Sequence, residues 1–210
     1  ISEKNLKPPF ISLLVSGGHT ILSSITDKSN YKILGKTLDD SAGEVFDKVA
    51  RHLGLPYPGG PEISNASSKI SSSSFKFPRP MINTDCYDFS FSGLKTHVTQ
   101  LISKTTLTDE LISDISYDFE NAILDVLISK TLKASNDLNI SDIVISGGVS
   151  ANKRLRERFE KEKNEKNIYF PDLAFSTDNG AMIAYMGWLK YYDNNNDSLE
   201  INPKPTSSLA

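Results

Sequence analysis

FISLLVSGGHTILSSITDKSNYKILGKTLDDSAGEVFDKVARHL, residues 10–53, decides the fold. Phe10 to Val15 is a short, mostly apolar run that ends in Ser16-Gly17-Gly18. Ile21 to Ile25 and Tyr31 to Leu34 follow, with turn residues between them, so the three runs read as an antiparallel meander. The period then changes. From Ser41 to Leu53, apolar residues fall at Val45, Phe46, Val49, Ala50 and Leu53, which is one face of a helix. Ser41 with Glu44 three residues on is a capping box, and Gly54 can close the far end.

Outward from this stretch, Leu55 to Ser74 reads as a loop, with Pro58-Gly59-Gly60-Pro61 and a serine cluster at Ser71 to Ser74. Phe75 to Pro80 (FKFPRP) must be extended, because a residue before proline avoids the helical region. Leu111 to Lys133 is the longest helical pattern, with Ile112, Ile115, Phe119, Ala122, Ile123, Val126 and Leu127 on one stripe. Asp142 to Ser146 is a buried-type strand, a charged helix runs from about Ala151 to Lys166, a short strand covers Ile168 to Phe170, and a last helix runs from about Asn179 to Tyr191. A meander followed by alternating helices and strands implies an α/β fold: a mixed sheet with helices packed on it.

Composition narrows the classes. Of 210 residues, 38% are apolar and 23% charged, which excludes a disulfide-stapled miniprotein and wholesale disorder. A net charge of −3 announces no global basic field of the kind that marks nucleic-acid binders. Cys86 is the single cysteine and fits a reducing compartment; no apolar run approaches a membrane span. The first residue is Ile1 rather than Met, and Ile1 to Pro9 lacks the apolar core of a signal peptide. Residues 1–9 read as a linker remnant, 10–192 as the folded lobe and 193–210 as a flexible polar tail.

Two glycine pairs each follow a strand: Gly17-Gly18 and Gly147-Gly148. Such a pair is either a tight turn or a loop whose free N–H groups cradle phosphate. The helix that starts after Gly147-Gly148 would add its positive end. Asp47 points away from the Val45/Val49 stripe, as a solvated aspartate or a cleft-facing one would. Asp39 and Asp40 precede the same helix and are most economically its caps. Asp178 is either the N-cap of the last helix or a metal or phosphate ligand. His19, His52 and His97 form no HxxxH or HExxH pair, and His52 reads as a surface residue. Lys153 to Lys166 carries a local surplus of three positive charges, as a solvated helix or a tRNA phosphate contact would. The phenylalanines at 75, 77, 89 and 91 suit packing better than base stacking.

These motifs come in an order that resembles a known family. LLVSGGHT (13–20), LDDSAGEVFDKVARHLGLPYPGGPEIS (38–64), FKFPRP (75–80), FSFSGLKT (89–96), ISGGVSANKRLR (145–156) and STDNGAMIAYMG (176–187) resemble the TsaD family of tRNA N6-adenosine threonylcarbamoyltransferases. The YPGGP stretch is similar to the bacterial and organellar branch. The resemblance implies an actin/Hsp70/sugar-kinase (ASKHA) type lobe. It implies an acyltransferase that moves threonylcarbamoyl from threonylcarbamoyl-adenylate to the N6 amine of the adenosine beside the anticodon in tRNAs reading ANN codons. By the same resemblance, Leu14, Val15, Ser16, Gly17 and Gly18 form the substrate-binding strand and loop. Asp47 and Gly60 hold the nucleoside part, Asn152 is another adenylate contact, and Asp178 is a ligand of one divalent metal, iron or zinc.

One departure shapes the expectation. The resemblance puts two histidine metal ligands, an HxxxH pair, shortly before LLVSGGHT, and a further lobe with its own phosphate loop before that. Neither occurs in these 210 residues. The chain is therefore expected to be the C-terminal lobe of a longer enzyme, inactive alone. Expected partners are threonylcarbamoyl-adenylate, tRNA, and either accessory proteins of the transfer complex or a homodimer partner, with no membrane. The expected compartment is the cytoplasm, or alternatively a mitochondrial or plastid matrix. A non-catalytic scaffold or nucleotide-binding assembly module of the same fold is the alternative, although it would be expected to lose Asp178 and the second glycine pair. A sugar or acetate kinase shares the glycine loops but does not account for FSFSGLKT or STDNGAMIA.

Overall fold

The computed structural model describes residues 6–27, 30–192 and 200. The linker remnant expected at 1–9 lies outside them except for Leu6 to Pro9, and the tail expected at 193–210 lies outside them except for Glu200. The chain divides into two compact units, one within Ser2–Thr177 and one running from Asp178. Among the described residues, no helix is long and apolar enough to cross a membrane.

The first unit is built on a five-stranded mixed sheet. Its strands are β1 (Phe10–Val15), β2 (Thr20–Ile25), β3 (Tyr31–Lys36), β4 (Asp142–Ser146) and β5 (Asn167–Tyr169), in the spatial order β3-β2-β1-β4-β5. The meander is antiparallel, with Phe10 opposite Ile25 and Val15 opposite Thr20. β4 then joins β1 in parallel, Ile11 opposite Ile143, and β5 extends the parallel half. The alternation in β1 points Ile11, Leu13 and Val15 into the core and leaves Phe10, Ser12 and Leu14 half-buried on the other face.

The helices of this unit are α1 (Ala42–His52), α2 (Gly59–Ser67), α3 (Ser92–Ile102), α4 (Asp109–Asp137) and α5 (Lys153–Glu162). Ser41 caps α1 by accepting from the Glu44 N–H. Past its end, Gly54 N–H donates to the Arg51 carbonyl and Leu55 N–H to that of Ala50. α4 is longer at both ends than its apolar stripe suggests, and it is buried on more than one face because α2 and β1 both pack on it. Phe46 of α1 meets Phe119 of α4 edge to face, with ring centroids 5.4 Å apart. Burying each such ring contributes about 2–3 kcal/mol.

Two helices lie where none is read from the sequence. The stretch taken as a loop contains α2, because Pro58 sits at its N-cap and Pro61 in its first turn. N–H groups there have no partner within the helix, so the ring removes nothing. α3 begins inside FSFSGLKT and buries Leu94, Val98 and Ile102 at helical spacing. Asp39 and Asp40 do not cap α1. Asp39 Oδ1 accepts from the N–H groups of Phe91 (2.8 Å) and Ser92 (3.3 Å), so it serves the start of α3. Asp40 accepts from Lys48 (2.9 Å), Ser92 Oγ (3.1 Å) and Lys95, which ties α1 to α3. Burial alone would raise its pKa; these three partners outweigh that and hold it at about 2.

In the second unit, α6 spans Gly180–Tyr192. Met182, Ile183, Tyr185, Met186, Trp188, Tyr191 and Tyr192 are all exposed on it.

Candidate functional site

The site grows from the ends of two strands. β1 and β4 are parallel neighbours, with Leu14 opposite Ser146, so both glycine pairs leave the sheet at the same edge. Ligands of α/β sheets collect at such carboxyl ends. The β1 loop is a tight turn between strands: Ser16 N–H donates to the His19 carbonyl at 2.8 Å, and Ser16 Oγ accepts from His19 N–H. The turn is seated on the start of α1, where Ser41 Oγ donates to the Gly17 carbonyl (2.5 Å) and Gly43 N–H to that of Ser16 (3.2 Å). The Cα positions of Gly17 and Gly18 face open space. Val15 is wholly buried, so it can offer a ligand only its backbone; Leu14 is half-buried on the opposite face.

Gly147 has φ +92° and ψ 167°, a region reserved for glycine. A Cβ there would press into the Val15 carbonyl, whereas one on Gly148 would meet only Thr177 Cγ2 at 4.0 Å. The first glycine therefore seals β4 against β1, and the second is open. Gly148–Ala151 forms a short 3-10 turn that leads into α5.

Asp47, Gly60 and Asn152 converge through α2. Asp47 Oδ1 accepts from Gly59 N–H at 2.8 Å and so anchors the first turn of α2. Gly59 itself has no room for a Cβ, which would lie 2.6 Å from Ala50 Cβ. Gly60, one residue on, faces open space. Asn152 caps α5 through its Oδ1, which accepts from Leu155 N–H, and its Nδ2 donates to Ser64 Oγ and Glu120 Oε1, both at 2.8 Å. The structure thus gathers Ser16–Gly18, Asp47, Gly60 and Gly147–Asn152 around the start of α1, α2 and α5.

Asp178 belongs to the second unit. It is exposed, and the cap of α6 is Asn179, whose Oδ1 accepts from Met182 N–H at 3.1 Å. The helix-cap role open to Asp178 is therefore filled by its neighbour, and an exposed carboxylate outside the cap fits a single oxygen ligand for a divalent cation. Among the described residues no three His, Cys, Asp or Glu side chains gather into a metal site.

The arginines of α5 are not simply solvated. Arg154 pairs with Glu120, Arg158 with Asp125 at 2.6 Å, and Arg156 donates to the carbonyls of Ser150 and Pro171. Arg79 of the FKFPRP segment shares Asp125 at 2.8 Å. Phe89 and Phe91 are core residues, and Phe77 packs against Phe75 and His97. His52 is exposed, as read. Glu120, Ser64 and Arg154 were missed by sequence reasoning. For Glu120 the one signal is a charge beside the apolar stripe of α4, and it says nothing of partners far along the chain such as Ser64 on α2 and Arg154 on α5.

Fold and site together define an α/β lobe of the actin/Hsp70/sugar-kinase type, with glycine loops opening at the carboxyl ends of neighbouring parallel strands. The family model for TsaD, tRNA N6-adenosine threonylcarbamoyltransferase, matches residues 1–185. The chain is 48% identical over 193 residues to the tRNA N6-adenosine threonylcarbamoyltransferase of Thermosipho africanus, covering 91% of this chain and 58% of that one. It is 44% identical over 210 residues to that of Fervidobacterium nodosum, covering 98% and 62%. The fold is also similar to a solved one: the crystal structure of T.kodakarensis HypF superposes with a TM-score of 0.56 at 17% identity, over 80% of this chain and 21% of that one. The chain belongs to the TsaD family. It spans about three-fifths of the length of these curated relatives.

Proposed function

We propose that this chain supplies one lobe of an acyltransferase that moves threonylcarbamoyl from threonylcarbamoyl-adenylate to the N6 amine of the adenosine beside the anticodon in tRNAs reading ANN codons. The observation that carries the reading is the convergence of the Ser16–Gly18 turn, the Asp47-anchored start of α2 and the Gly147–Asn152 loop at one sheet edge. In the reaction the amine attacks the carbamoyl carbonyl, the bond to the phosphate oxygen breaks, AMP leaves, and the amine gives up a proton.

Leu14 to Gly18 line the substrate strand and loop, and the backbone of Gly17 and Gly18, open to solvent, suits the phosphate. Asp47 and Gly60 hold the nucleoside, with Asn152 as a further adenylate contact. Asp47 Oδ1 is taken by Gly59, so the ribose would use its other oxygen. A divalent metal, iron or zinc, held in part by Asp178, would polarise the acyl-phosphate end. Its two histidine ligands would come from sequence preceding this chain, as would the second lobe that closes the cleft.

The partners proposed with this reading are tRNA and either accessory proteins of the transfer complex or a second copy of the protein, acting in the cytoplasm or an organellar matrix. The test is a transfer assay with labelled threonylcarbamoyl-adenylate and tRNA. The longer protein should label the N6 position, and a protein that binds the adenylate but never labels tRNA would be a scaffold. The 210 residues alone should give no turnover, and clear turnover by them would refute the divided cleft.

A further inference from the structure

We propose that Glu120 is a positioning residue: from α4, its carboxylate holds the start of α2 and the Asn152 loop together and so sets the nucleoside subsite. The inference rests on the reading of Gly60 and Asn152 as adenylate contacts. Glu120 is 1% exposed, and donors from two other parts of the chain converge on it. Oε1 accepts from Ser64 Oγ (2.5 Å) and Asn152 Nδ2 (2.8 Å); Oε2 accepts from Ser67 Oγ (2.6 Å) and lies 3.3 Å from Arg154 Nε. Ser64 and Ser67 are on α2, one turn and two turns past Gly60, while Asn152 and Arg154 open α5.

The chemistry needs a carboxylate. Four donors on two oxygens require acceptors on both sides, and only an ionised acid has no hydrogen to offer in return. A glutamine would turn an NH2 toward either Asn152 Nδ2 or Arg154 Nε, donor against donor, at a carboxyl position that is 1% exposed. Asn152 would then lose the contact that orients its amide, although its cap on α5 would survive. The elements bridged are far apart in sequence, so no local propensity can replace the link.

The experiment measures binding of AMP to the intact protein by calorimetry, with the transfer assay beside it. Glu120→Gln should raise the AMP Kd about tenfold, as expected for loss of a hydrogen bond to a charged group, and should raise KM for the adenylate while leaving kcat within about threefold. Its effect and that of Asn152→Ala should not add, because the first acts through the second. Val126→Ala, a core truncation on the same helix, is the destabilised control and should leave Kd within about twofold. If Glu120→Gln does not fold, Ser64→Ala carries the test and should raise Kd about threefold. The proposal is overturned by an unchanged Kd in the folded Glu120 variant, by additive effects, or by an equal rise in the Val126 control. Absence of AMP binding by the unaltered protein would instead overturn the adenylate reading, and the proposal with it.

Discussion

Replacing Gly147 with alanine should cripple the fold, while the same change one residue later should barely touch it. At φ +92° and ψ 167°, an L side chain is strained by about 1–3 kcal/mol. The new Cβ would also stand 2.8 Å from the Val15 carbonyl carbon and 3.2 Å from Val15 N, well inside contact distance. These atoms are backbone of the central strand, so relief means parting β1 from β4, at about 1–3 kcal/mol more. The total, about 2–6 kcal/mol, is a large share of the 5–15 kcal/mol that holds a typical domain together. Gly148→Ala places its Cβ 4.0 Å from Thr177 Cγ2, an ordinary contact, and should stay within about 0.5 kcal/mol of the parent. Urea unfolding followed by circular dichroism measures both. The reasoning fails if Gly147→Ala loses less than about 1 kcal/mol, or if the two variants are equally unstable.

Asp40 predicts an acid-side effect. Its folded pKa of about 2 lies below the ordinary 3.8, so its stabilisation is complete above about pH 4 and is lost as pH falls toward 2. After screening by its partly exposed lysine partners this amounts to about 1–2 kcal/mol, and Asp40→Asn should flatten that limb of a stability–pH curve. Lys130 predicts the opposite limb. Its ammonium is buried on α4, donating to Cys86 O (2.7 Å) and Thr84 Oγ1 (3.1 Å), and burial lowers its pKa from 10.5. The folded state thus disfavours the proton, so the penalty is full at neutral pH and is relieved as pH rises toward 10.5. Thermal melts between about pH 8 and 11 should show this gain, and Lys130→Met should lack it.

What could be read in advance follows from the range of each interaction. The meander, α1 with its Ser41 cap, β4 and the two glycine pairs are written in neighbouring residues, and the structure has them. α2 was hidden because Pro58-Gly59-Gly60-Pro61 spells a loop by composition, although both prolines occupy positions a helix start tolerates. α3 was legible in Leu94, Val98 and Ile102 but obscured by the serines before it. The capping of α1 shows the same limit. Asp39 and Asp40 sit where its cap belongs by spacing, yet both bond to the start of α3, some fifty residues away. Glu120 and the inward arginines of α5 depend on which helices lie side by side, and no window of adjacent residues contains that information.

The parallel pairing of β1 with β4 has a consequence for the birth of the chain. Ile11 finds its partner Ile143 about 130 residues later. At about 5–20 residues per second on the ribosome, β1 and its meander wait roughly 7 to 25 seconds with the inner edge of β1 unpaired. That edge is a row of open backbone donors and acceptors flanked by Ile11, Leu13 and Val15, the kind of surface that recruits strands from other chains. Translation speed through the α4 segment, and whatever shelters the nascent meander meanwhile, should therefore govern how much of this protein reaches its native sheet.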